Sequence, residues 1–473
     1  MKHKRLVSAL LVLLAVFFRL PSAAAWYGEA CGAPTLPDIS GYAAFAVELN
    51  TGTVLLEQNA DEQLYPASTT KLMTALIAME HIEAGQASLD DVITFSRKAV
   101  YGIPRDTMHI AIDVGEQLTV RQVFYAILLP SANEACLGMA EYIAGSADAF
   151  VALMNERAAA LGMTHTHFVT TNGLHDPDHY MSARDLATLL QECIQHPFLV
   201  EVMSTPTYEI PPTNKCSETR YLTTTNDLLL PRSGVYNSKV VCGKTGYTTP
   251  AANTLATLSE FNDMQVIITI LKAPKGTTFQ NTSALVDYFA ENLTLKTIDS
   301  SIDFAKSVPT ASGDSLLLEP EPFSVLCHTQ DDPFAFECVY EVPDVISDPA
   351  PAGTVFGTLT LYDHGAPVGQ TRLVSRTDYQ IAAATDPSGS QSSSDVTSSD
   401  SQVSSGAKKG SSFVRTLLRF LLILLCAAII CAVLYGVVLL LSAYLYRRKK
   451  QQQEHSTAPS KPQQDDESRH PRS

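Results

Sequence analysis

Residues 65–80 read YPASTTKLMTALIAME. From Ser68 onward the apolar residues recur at helical spacing with no internal Gly or Pro, which predicts a helix beginning at Ser68 behind Pro66. On that helix Ser68 and Lys71 lie three residues apart, so hydroxyl and ammonium share one face, one turn apart. The positive end of the helix dipole favours negative charge at Ser68 and disfavours the protonated form of Lys71. A serine hydroxyl is a weak nucleophile until a base takes its proton, so the pair is a candidate nucleophile and base.

The flanks suggest an α+β domain. Residues 42–57 are apolar on both sides of Asn50-Thr51-Gly52, a hairpin signal. Helical patterns cover 119–129, 134–143, 147–161 and 182–195; strand patterns cover 237–248, 252–259 and 264–272, with a closing helix at 281–293. Strands, a helical middle and strands again give one domain of about 260 residues. Beyond Lys296 short apolar stretches at 315–319, 323–327, 335–340, 354–362 and 369–375 alternate with Pro, Gly and Asp, the pattern of a small β-rich domain.

Two further motifs follow Ser68-Thr69-Thr70-Lys71: Ser131-Ala132-Asn133 and Lys244-Thr245-Gly246. The first two arise easily by chance, so their weight comes from structural context. Pro130 ends the helix before Ser131, leaving Ser131 and Asn133 free to project from a loop, the one to relay a proton and the other to hold a substrate amide. Lys244-Thr245-Gly246 ends a Val-rich strand. Gly243 and Gly246 leave its edge clear for an extended substrate to pair by backbone hydrogen bonds. Lys244 and Thr245 can then receive a substrate carboxylate, and a second cation near Lys71 helps lower its pKa.

With these motifs in order, the sequence resembles the low-molecular-mass penicillin-binding proteins, the serine-type D-Ala-D-Ala carboxypeptidases. The likeness extends to LLPSANEACLGMAEYI, FVTTNGLHDPDHYMSARDLATL, TNDLL and GKTGYT, spans residues 40–295, and continues more weakly over 300–380. It implies a β-lactamase/transpeptidase-like catalytic domain in which Ser68 attacks the carbonyl between two D-alanines of a peptidoglycan stem peptide. Terminal D-alanine leaves, and water hydrolyses the acyl-enzyme. The backbone N–H groups of Ser68 and Tyr247 would hold the oxyanion. β-Lactams would acylate the same serine, with no metal or organic cofactor. Catalytic roles thus fall on Ser68, Lys71, Ser131 and Asn133, and substrate binding on Lys244, Thr245, Gly246 and Tyr247.

Several positions depart from the family pattern. Cys242 precedes Gly243, Ala252 stands where Gly is common, and Asn172 stands where some members have His. Lys272 and Lys275 are the candidates for the basic residue that assists carboxylate binding after the third motif. His165, His167, His175 and His179 read as surface or loop histidines rather than metal ligands, and Cys136 as helix packing. A β-lactamase shares the nucleophile and third motif, but the second motif here is Ser-Ala-Asn rather than Ser-Asp-Asn. A catalytically weak wall-binding or sensing protein is the non-enzymatic alternative.

Charge and hydropathy frame this domain. The 473 residues carry a formal charge of −16, which argues against nucleic acid as the main partner. Residues 1–25 pair Lys2, Lys4 and Arg5 with an apolar run and Ala23-Ala24-Ala25, the build of a secretory signal peptide cleaved near Ala25. Residues 382–412 form a Ser-rich linker, with 12 Ser in the 27 residues 386–412. A transmembrane segment over 413–446 contains 27 consecutive uncharged residues, 420–446, and Arg447-Arg448-Lys449-Lys450 opens a cytoplasmic tail, 447–473. The layout is thus signal peptide, catalytic domain 26–296, β-rich domain 297–381, linker, anchor and tail, with catalysis outside the cell membrane. Residues 26–412 hold 20 Lys and Arg against 45 Asp and Glu, a formal charge of −25. In that exported setting Cys327 and Cys338, flanking a possible hairpin, are the best disulfide candidates.

Overall fold

The computed structural model describes residues 36–299, 302–329 and 335–380. The chain divides into two units at Thr385/Asp386, and every described residue belongs to the first. The expected signal peptide, linker, membrane segment and tail lie outside the described residues. Among those described, no single helix is long and apolar enough to cross a membrane.

The first hairpin is β1 (Ala43–Glu48) and β2 (Val54–Gln58). A 3-10 turn, Ala67–Thr70, leads into α1 (Lys71–Glu83), so the helix expected from Ser68 begins three residues later. Its residues from Lys71 to Met79 are all buried, as in a helix surrounded by protein. There follow β3 (Val92–Thr94), α2 (Arg97–Tyr101), β4 (Gln117–Thr119), α3 (Val120–Leu128), α4 (Asn133–Ala144) and α5 (Ala147–Ala160). Thr119 and Gln122 close a reciprocal capping box at the start of α3, and Gly145 ends α4 in the left-handed conformation. α6 (Ala183–Cys193), α7 (Pro197–Ser204) and the hairpin β5 (Thr207–Ile210) with β6 (Arg220–Thr223) complete the helical side.

Three long strands, β7 (Val240–Thr248), β8 (Ala252–Phe261) and β9 (Met264–Ala273), join the first hairpin in an antiparallel sheet of order β2-β1-β9-β8-β7, and α8 (Thr277–Asn292) packs on it. Alternation along the strands divides their side chains between two cores. Ala43, Phe45, Ile267 and Leu271 face the cluster of helices α1, α3 and α4. Ala44, Ala46, Ile268 and Ile270 face the cluster that includes Leu285 and Phe289 of α8.

α8 runs directly into β10 (Leu293–Ile298), which pairs with β13 (Phe323–His328). A second antiparallel sheet, order β11-β12-β16-β15-β14, contains β11 (Lys306–Pro309), β12 (Ser315–Pro320), β14 (Glu337–Glu341), β15 (Val355–Asp363) and β16 (Ala366–Ser375). The boundary expected after Lys296 falls inside β10, and the α8 core continues without a break into Leu316, Leu318, Val325 and Leu373. No Cys327–Cys338 bridge forms. Cys327 is buried on β13 beside β10, whereas Cys338 sits on β14 beside β15, so the two strands are not partners in a hairpin.

Candidate active site

The 3-10 turn places Ser68 against Lys71 more directly than an α-helical turn would, because side chains three apart eclipse in that geometry. Lys71 Nζ donates to Ser68 Oγ at 2.9 Å. It also donates to Asn133 Oδ1 at 2.8 Å and to the Asn172 carbonyl at 2.6 Å. These three acceptors fix the ammonium while burial penalises its charge, lowering the Lys71 pKa to about 8. Asn133 opens α4 with its carbonyl oxygen turned to Lys71, leaving its amide NH₂ as the donor for a substrate.

Ser131 follows Pro130 at φ +68°, a left-handed conformation that costs a non-glycine residue energy and survives where packing over-determines it. Lys244, buried on β7, donates to Ser131 Oγ at 3.1 Å and to the Thr245 carbonyl at 2.9 Å. Burial first, and then the nearby Lys71, push the Lys244 ammonium well below its ordinary pKa. Thr245 Oγ1 lies 2.5 Å from Thr225 Oγ1, which orients the hydroxyl. Thr225 begins the TNDLL segment.

β7 is the edge strand of the sheet, with β8 on one side only. Its close approach to Ser68 explains Gly246: a Cβ there would lie 2.8 Å from the Ser68 nitrogen and 3.0 Å from the Pro66 carbonyl. Ser68, Ser131, Thr225, Thr245 and Tyr247 line one cleft of about 290 Å³, with Met108 in its wall. Tyr247 is 61% exposed at its rim. All eight residues expected from the motifs therefore converge. Lys275 adjoins Gly276, which also lines the cleft, whereas the Lys272 ammonium lies 4.8 Å from the centre of the Tyr42 ring.

The segment 168–181 contributes what motif reading did not assign. Gly173, at φ +79°, packs so closely that a Cβ would collide with the Ala67 carbonyl, and Ala67 is itself at φ +50°. His179 lies in the loop between α5 and α6, as expected, but is buried there rather than at the surface. Its Nδ1 accepts from the N–H groups of Val169 and Thr170 at 3.0 and 3.2 Å, so Nε2 carries the proton and donates to Thr70 Oγ1 at 2.8 Å. Burial lowers its pKa to about 4. The Asn-Gly turn signal at 172–173 was the one sequence cue to this brace. Cys136 is buried on α4, as helix packing requires. Among the described residues no group of three His, Cys, Asp or Glu could hold a metal ion.

The sequence profile of the peptidase S11 family, described as D-alanyl-D-alanine carboxypeptidase, matches residues 30–275. The chain belongs to this family. The carboxypeptidase is 31% identical over 386 residues to D-alanyl-D-alanine carboxypeptidase DacF of Bacillus subtilis, covering 80% of this chain and 95% of that one. It is 32% identical over 290 residues to DacA of Escherichia coli, covering 60% and 68%. Its fold is similar to that of PBP3 of Streptococcus pneumoniae, described as a peptidoglycan synthesis regulatory factor, with a TM-score of 0.59, 25% identity and coverage of 73% and 100%. Penicillin-binding protein 5 of Haemophilus influenzae shares the fold with a TM-score of 0.62 at 23% identity, covering 73% and 99%. Like the family, the protein is a serine hydrolase of D-alanyl-D-alanine peptides.

Proposed function

We propose a division of labour for that reaction. Ser68 Oγ loses its proton to neutral Lys71 and attacks the carbonyl of the penultimate D-alanine. The Ser68 and Tyr247 N–H groups hold the oxyanion, and the substrate backbone pairs with the free edge of β7. Asn133 NH₂ donates to the substrate amide. The substrate carboxylate lies by Lys244 and Thr245, and its arrival favours the Lys244 ammonium. Ser131, hydrogen-bonded to Lys244, passes a proton to the leaving amine and regains one from the Lys71 ammonium, which returns Lys71 to its neutral form. Water then cleaves the ester with Lys71 again as base. The observation that carries this reading is a buried Lys71 amine 2.9 Å from Ser68 Oγ with a pKa near 8.

β-Lactams would acylate Ser68 because their strained amide occupies the place of the scissile bond. Residues 1–25 and 413–446 would respectively export the protein and anchor it, leaving catalysis extracytoplasmic on a peptidoglycan substrate. The test is D-alanine release from a pentapeptide and covalent labelling by penicillin, measured on the chain and on Ser68→Ala. Both signals should vanish in the variant; labelling that persists would eliminate the nucleophile. Labelling without release would favour a sensing role, and fast penicillin turnover a β-lactamase.

A further inference from the structure

A second cavity of about 380 Å³ is lined by Tyr101, Ile103, Arg105, His109, Asp113 and Glu134 with apolar neighbours. It and the cleft share a wall. Met108 lines the cleft and His109 the cavity, while Asn133 touches Lys71 and the adjacent Glu134 lines the cavity. Glu134 is 2% exposed. Its Oε1 accepts from the Ile110 N–H at 2.7 Å, and its Oε2 has no hydrogen-bond partner among the described residues. Buried carboxylate oxygens are normally paired, and a mostly apolar cavity of this size with a few convergent polar groups is the form of a small-molecule site. Its walls are held in place: Asn133 N donates to the Met108 carbonyl at 2.9 Å, and Arg220 to the Ala111 carbonyl at 2.9 Å.

We propose that this cavity is a second binding site, for a small zwitterion of the free amino acid class, its ammonium on Glu134 and Asp113 and its carboxylate on Arg105 and His109. Both signs of charge line the cavity, so a simple cation or a simple anion meets one unfavourable partner, whereas a zwitterion satisfies both. The carboxypeptidase itself releases such a molecule, D-alanine, and the shared wall lets an occupant act on Met108 and Asn133.

The test is equilibrium dialysis of labelled D-alanine against the full chain after penicillin has blocked the cleft. Saturable binding is expected at millimolar concentration. Alaninamide, which lacks the carboxylate, and propionate, which lacks the ammonium, should each compete at least about tenfold less well. Glu134→Gln keeps the acceptor for Ile110 N–H and should weaken D-alanine binding at least about tenfold. Arg105→Ala, at the exposed rim, should do the same and decides the matter if the Glu134 variant melts at a lower temperature. Absence of binding to the acylated chain, or binding unchanged in Arg105→Ala and in a folded Glu134→Gln, overturns the proposal. Failure of penicillin to attach would count against Ser68 as nucleophile instead, and dialysis of the unacylated chain and its variants would still decide the cavity.

Discussion

At the scale of the residue, the chemistry depends on how burial sets proton affinity. Lys71 is lowered from 10.5 to about 8, so its neutral, basic form predominates above pH 8 and is lost as pH falls. The second-order rate of acylation by penicillin should therefore rise about tenfold per pH unit between 6 and 7 and level off above 8; a flat profile over that range would remove Lys71 as the base. Lys71→Met should slow acylation by about 10²- to 10⁴-fold at every pH. Gly173 is a second residue with a sharp requirement. Gly173→Ala combines a left-handed backbone with a collision against the Ala67 carbonyl, next to Ser68. A loss of about 3 kcal/mol in stability and at least about tenfold in acylation rate is expected, read by denaturant melts and penicillin labelling. Neither backbone angle can be read from residue names.

At the scale of the element, the 3-10 turn before α1 is held from outside. The His179 ring joins residues 169–170 to Thr70, and Thr254 Oγ1 of β8 donates to the Pro66 carbonyl at 2.9 Å. The neutral ring is the form that makes the His179 contacts. Its folded pKa of about 4 lies below the ordinary 6.5, so the stabilisation is complete above pH 6.5 and lost as pH falls toward 4. That contribution is about 3 kcal/mol. Melting temperature should drop between pH 7 and 5, and His179→Gln should lower the pH 7 value while flattening the dependence; equal pH slopes in both proteins would contradict the assignment. The sequence pattern located α3 to α6 and β7 to β9 within a few residues, because long apolar periodicities on both sides of the sheet leave little choice of face. Short elements such as α7, β5 and β6 lacked that signal, and their hairpin is held instead by distant partners. Buried Glu116, for example, accepts from Arg220 at 2.6 Å.

At the scale of the molecule, the β-rich segment shares a hydrophobic core with the sheet and α8 that precede it. Leu285, Val286 and Phe289 of α8 share one core with Leu316, Leu318 and Val325. Fully burying each such side chain contributes about 1.5–3 kcal/mol. Deleting residues 302–380 should therefore lower the melting temperature by roughly 10 °C or more; an equally stable, fully active product would restore an independent catalytic domain ending near 296. The expectation of a boundary there arose from a change of pattern from helical to strand-like. A pattern change marks where the secondary structure turns over, but a domain boundary is where contacts cease, and here β10 continues the core.

The chain alone supplied the candidate reacting groups, because Ser-x-x-Lys, Ser-x-Asn and Lys-Thr-Gly each need only local spacing and a helix start, loop or strand end to be meaningful. Their chemistry was decided only in three dimensions. Residues 68, 133, 172 and 244 are far apart along the chain, and the distances among them, the burial that lowers Lys71 and Lys244, and the pairing of Asn133 and Asn172 with Lys71 exist only when the helical core and the edge strand β7 close around one cleft. The same closure placed His179 inside and separated Cys327 from Cys338, since burial and strand partnership are properties of the packed sheet rather than of neighbours in sequence.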